Sequence, residues 1–156
     1  MPEVNAVLGS RVASLPGFSS GLHAWRTFVG NGSARQTMTW LCFFDTSALV
    51  KLYVQESGTD RLLALFSDRP DNRFAVLATS VVEFRTAIRR RQRAGDINAS
   101  AASAILESLQ SHMEARFIRQ MINETVIDTA LEMIDRYALR AYDSVQLAGC
   151  LVLSAR

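Results

Sequence analysis

The sequence predicts an α/β domain built around a parallel sheet, and three observations lead there. From Trp40 onward, short apolar runs alternate with amphipathic segments, which is the pattern of successive strand–helix units. The run Trp40–Phe44 is apolar throughout and stops at Asp45, as a strand buried on both faces would. Hydrophobic residues fill 49% and charged residues 21% of the 156 positions, the balance of one ordinary domain with one core.

Residues 1–37 differ in character from the rest of the chain. They hold five of the eight glycines, with Ser, Asn and Pro interspersed and no sustained period, and read as a poorly ordered extension. Met38, just before the first strand, is an alternative start. After the strand Trp40–Phe44, residues 47–55 read as a short helix, and a second helix carries Leu62, Leu63, Leu65 and Phe66 on its apolar face and ends near Pro70. Residues 74–78 form the second predicted strand, and Ser80–Ala94 a helix closed by Gly95. Helices follow over 98–114 and 123–138, the latter with Val126, Ile127, Ala130, Leu131 and Ile134 as its apolar stripe. A short strand at 117–122 separates them, and a helix over 144–153 comes last. No strand is predicted after it.

Charge narrows the function classes. The extension carries Arg11, Arg26 and Arg35 against Glu3, so the net +2 of the chain resides there and residues 38–156 are neutral. A globally basic nucleic-acid binder is excluded, but Arg85, Arg89, Arg90, Arg91 and Arg93 make a local patch. Cys42 and Cys150 sit in apolar runs without a partner at ligand spacing, which argues against a zinc site or a disulfide framework and for a reducing compartment. No apolar stretch reaches the length of a membrane span, and the N-terminus lacks a signal-peptide core, so a cytoplasmic location is expected. His23 and His112 stand alone, and His112 is expected to be exposed.

Three acids stand where chemistry is expected. Asp45 ends the first strand, Glu83 opens the helix after the second, and Asp143 opens the last helix. In an open α/β sheet, groups at the carboxyl ends of strands converge on one crevice. Carboxylates gathered there repel one another unless a cation compensates them, and an all-oxygen ligand set suits Mg²⁺ or Mn²⁺. Such a site serves phosphate chemistry. Each acid has a structural use too: Asp45 and Asp143 as N-caps, and Glu83 as the far end of the capping box that begins at Ser80. Sequences for nucleotide phosphate loops are absent. A phosphoacceptor role for Asp45 fits poorly, because no acidic pair precedes it and no second acid follows two residues on.

The residues around these acids resemble a known family. "FFDTSALVKLYVQESG", "ATSVVEFRTAIRRR" and "LRAYDSVQLAGCLVL" are similar, in order, to the three signatures of PIN-domain ribonucleases, in particular the VapC toxins of bacterial toxin–antitoxin pairs. The likeness spans about residues 40–156 and gives residues 38–156 as a PIN-like domain. It implies a three-layer α/β/α fold with a central parallel sheet, and an Mg²⁺- or Mn²⁺-dependent endoribonuclease that hydrolyses phosphodiesters with activated water. Asp45, Glu83 and Asp143 would be its catalytic and metal-holding acids. Thr46 or Ser47 would position a water or a phosphate, with helix capping as the competing use.

By the same likeness, the partners would be RNA and a VapB-like antitoxin laid over the active side. Arg85, Arg89 and Arg93, spaced four apart along one helix face, would meet RNA phosphates or an acidic antitoxin, or else form a solvated face. The family's further strand and fourth acid have no counterpart before Arg156, so the domain reads as C-terminally shortened, with a bare sheet edge or a homodimer pairing it. The alternative function is a catalytically inactive module that keeps only antitoxin binding or dimerisation.

Overall fold

The computed structural model describes residues 24–26, 40–68 and 72–155. Their strands are β1 (Ala24–Arg26), β2 (Trp40–Phe44), β3 (Arg73–Leu77) and β4 (Phe117–Gln120), forming one sheet in that order. β2, β3 and β4 run parallel, with Phe44 opposite Val76 and Leu77 opposite Gln120, so their carboxyl ends share one edge. The helices are α1 (Thr46–Lys51), α2 (Thr59–Asp68), α3 (Ser80–Ala94), α4 (Ala99–Ala115), α5 (Glu124–Tyr137) and α6 (Ala141–Ser154).

Side-chain alternation along the strands sorts the core into two halves. Cys42, Phe44, Phe74, Val76 and Phe117 point to one side, against Leu49, Tyr53, Leu62, Phe84, Ile88 and Leu109 of the α1–α4 segment. Phe43, Ala75 and Leu77 point to the other, against Cys150 of α6. Val126 and Ala130 of α5 then pack on Ala148 of α6. The result is the expected α/β/α three-layer arrangement. On the first side, Phe44 meets Phe74 and Phe117 edge-on, with ring centroids 5.7 and 6.0 Å apart. Burial pushes the Cys42 thiol up to about 11, so it stays a neutral core group.

β2 and α3 occupy their predicted spans, and the other helices differ by local chemistry. α1 ends at Lys51 rather than 55, because Leu52–Val54 turn inward and the buried Thr59 hydroxyl ties the loop, accepting from Glu56 N at 2.9 Å and donating to Val54 O at 3.2 Å. Asn98 and Asn123 cap α4 and α5 from outside, their side chains accepting from Ala101 N and Val126 N. α6 starts at Ala141 rather than 144, with Arg140 at the cap. On α5 the buried stripe is Val126, Ala130 and Met133. Ile127 and Leu131, expected in the core, are 43% and 56% exposed.

β1 pairs antiparallel with β2, Ala24 opposite Cys42 and Arg26 opposite Trp40. No strand was expected within residues 1–37, and this one pairs with the side of β2 away from β3. The rest of that extension, with His23 and Met38, lies outside the described residues.

His112 is half-buried rather than exposed, with Nδ1 hydrogen-bonded to the buried Tyr53 hydroxyl at 2.8 Å. Burial, with the Arg116 charge second, lowers its pKa below the ordinary 6.5. Protonation therefore favours the unfolded chain. The stability linked to His112 is complete above about pH 6.5 and is lost as pH falls through the lowered value. Thermal melts between pH 7.5 and 5 are expected to show a shallower loss for His112→Gln than for the wild type.

Candidate metal and nucleic-acid cleft

The parallel register sets three chain segments around one crevice. Asp45 follows the last residue of β2, extended at φ −71° and ψ 171°, and its carboxylate caps α1 by accepting from Ala48 N at 2.7 Å. Ser47 Oγ donates to the same carboxylate at 3.0 Å. After β3, Ala78 N still bonds Gln120 O, and the chain turns at Thr79 into α3. Glu83 stands on the inner face of its first turn. Asp143 lies in the first turn of α6, exposed and without a hydrogen bond or ion pair among the described residues.

A cleft of about 670 Å³ is lined by all three acids, with Thr46, Ser47, Glu56, Arg90, Arg91, Tyr142 and Gln146 also on its walls. The two α3 arginines stand seven and eight residues after Glu83, which brings them to the same helix face. Arg91 forms a salt bridge with Glu56, and its Nε is buried without a partner among the described residues.

The structural uses foreseen for the acids are met only in part. Asp45 does cap its helix. Glu83 makes no capping box: Thr79 is the N-cap, and Glu83 Oε2 instead accepts from Thr46 Oγ1 at 2.5 Å. Asp143 is not a cap, since Arg140 holds that position. Neither the Thr46 nor the Ser47 hydroxyl is spent on capping, because both donate to acids of the cleft.

The arginine stripe points elsewhere. Arg85 lies two residues beyond Glu83, about 200° round the helix, and with Arg89 it lines a separate groove against Glu107, Gln110 and Glu114 of α4. Arg93 is exposed in the last turn of α3. The arginines that do line the cleft, Arg90 and Arg91, were read only as members of the local patch and given no contact of their own. Counting turns from Glu83 would have found them, as counting one turn from Asp143 would have found Gln146.

The donor chemistry fits a hard divalent cation. Glu83 Oε1 is buried with no hydrogen-bond partner among the described residues, an arrangement that is costly unless a cation or donor completes it. The other acids at the cleft supply oxygen, and among the described residues no histidine lines it. Among the described residues, however, no three His, Cys, Asp or Glu side chains are gathered tightly enough to ligate one ion together.

A parallel α/β sheet with an acid-lined cleft at the carboxyl edge of its strands defines a phosphate-chemistry class of domain. Residues 42–156 match the PIN domain family, and the chain belongs to it. PIN domains are generally divalent-metal-dependent nucleases, and the family suggests RNA as the substrate bound. No curated protein matches the chain. Among the described residues no helix is long and apolar enough to cross a membrane.

Proposed function

We propose that this chain is a divalent-cation-dependent endoribonuclease, the toxin of a VapC-type toxin–antitoxin pair acting in the cytoplasm. The observation that carries the nuclease reading is the buried Glu83 Oε1, without a hydrogen-bond partner among the described residues, in a cleft it shares with Asp45 and Asp143. The toxin assignment rests on likeness to the three VapC signatures, and so does an antitoxin or second copy as partner.

Asp45, Glu83 and Asp143 would hold Mg²⁺ or Mn²⁺, with the exposed Asp143 side chain free to swing toward Glu83. When bound, the cation supplies Lewis-acid polarisation of a phosphoryl oxygen and lowers the pKa of water. The chain's own groups do the rest. Thr46 fixes the Glu83 carboxylate and Ser47 that of Asp45. Arg90 and Arg91 give the α3 wall of the cleft a charge suited to a phosphate backbone, and Glu56 holds the Arg91 guanidinium there. Tyr142, 62% exposed at the rim beside Asp143, offers a ring on which an unpaired base can stack.

A binding-only module is the second reading, favoured by the absence of a preassembled three-acid cluster among the described residues. Incubating the purified chain with a mixed RNA pool separates the two. The nuclease cuts with Mg²⁺ or Mn²⁺, stops in EDTA, and is silenced by Asp45→Asn. A folded chain that never cuts is the module.

A further inference from the structure

Beneath the cleft a polar seam joins α1, α3 and α6. Thr46 Oγ1 donates to Glu83 Oε2 at 2.5 Å, and Gln146 Nε2 lies 3.4 Å from Thr46 Oγ1 and 3.2 Å from Ser80 Oγ. A threonine hydroxyl has a single proton, and an ionised carboxylate only accepts. That proton is committed to Glu83, so any further bond to Thr46 Oγ1 must come from a donor. The Gln146 amide NH₂ is that donor, which turns its nitrogen toward the two hydroxyls and leaves Oε1 as the other end. Gln146 Oε1 is buried and, like Glu83 Oε1, has no hydrogen-bond partner among the described residues. The seam thus has a direction, from Gln146 through Thr46 to Glu83.

We propose that Gln146 is a positioning residue for Glu83. By donating to Thr46 it keeps the Thr46 proton aimed at Glu83 Oε2, and this holds the carboxylate with Oε1 presented to the cation. The inference rests on the cation site proposed above and assigns a role to a residue one helical turn beyond Asp143. Alone, Gln146 reads as a half-buried amide joining α6 to the other two helices. What separates positioning from mere packing is coupling to Thr46 in cation affinity.

Calorimetric titration of Mn²⁺ into the full chain measures that coupling, in the wild type, Gln146→Met, Thr46→Val, the double variant and Thr46→Ser. Gln146→Met and Thr46→Val are each expected to weaken Mn²⁺ binding about tenfold. The double variant loses no more than the worse single one, since both break the same relay, and Thr46→Ser, which keeps the hydroxyl, binds like the wild type. Circular dichroism identifies folded variants, and Gln146→Leu replaces Gln146→Met if the latter does not fold.

The inference is overturned if the folded Gln146 variant binds Mn²⁺ as the wild type does, even with a lower melting temperature, or if the double loss equals the product of the single losses. A folded wild type that binds no Mn²⁺ overturns the cation site itself, and the inference with it.

Discussion

Glu83→Gln is expected to lower RNA cleavage by at least about a hundredfold, because groups that merely support a metal ligand already carry ten- to a hundredfold and Glu83 is proposed as a ligand. The substitution keeps shape and volume. Its amide can still accept from Thr46 Oγ1, so the tie between α3 and α1 survives. What disappears is the negative charge behind Oε1, the buried oxygen without a partner among the described residues. Without a cation that charge opposes folding, so the melting temperature of the variant in EDTA is expected to equal or exceed that of the wild type. A drop in activity with unchanged or raised stability marks a functional acid. Wild-type cleavage by Glu83→Gln would remove this residue from the chemistry.

Phe44→Ala has the largest expected effect on the fold. Phe44 is fully buried at the carboxyl end of β2 and packed edge-on against Phe74 and Phe117. Truncating such a ring costs about 3–5 kcal/mol in lost transfer free energy and residual cavity, a large part of the ~5–15 kcal/mol that stabilises a typical domain. The site is expected to suffer too, because Phe44 anchors the strand end from which Asp45 projects. Urea unfolding followed by circular dichroism measures the loss. A change below about 1 kcal/mol would mean that the aromatic cluster is not the centre of the core.

The centre of this fold was legible because its signals are local and strong. Trp40–Phe44 is a short apolar run that stops at an acid, and α3 runs from Ser80 to a glycine in the left-handed conformation, Gly95 at φ 84°. That three acids would line one cleft was legible from Asp45 at a strand end, from Glu83 and Asp143 at helix starts, and from likeness to family signatures.

What escaped depends on which way a face turns. Arg85, Arg89 and Arg93 made the more regular stripe in sequence, yet only packing decides which side of α3 meets the sheet edge, and Arg90 and Arg91 are on that side. Gln146 was hidden because an amide between two acid-bearing segments gives no motif. Ile127 and Leu131 read as core from apolarity, but α5 rests on α6 along Val126 and Ala130, and apolar residues on the far face remain in solvent. β1 had no signal, since three residues in a Gly- and Ser-rich segment carry no period.

The central claim is that the acids of the cleft form a single cation site. Crystals grown with Mn²⁺ and examined by anomalous scattering test it most directly. One peak is expected in the cleft, within about 2.5 Å of Glu83 Oε1 and of a carboxylate oxygen from Asp45 or Asp143. An occupied site elsewhere, or a cleft without a peak in crystals soaked at millimolar Mn²⁺, would contradict it.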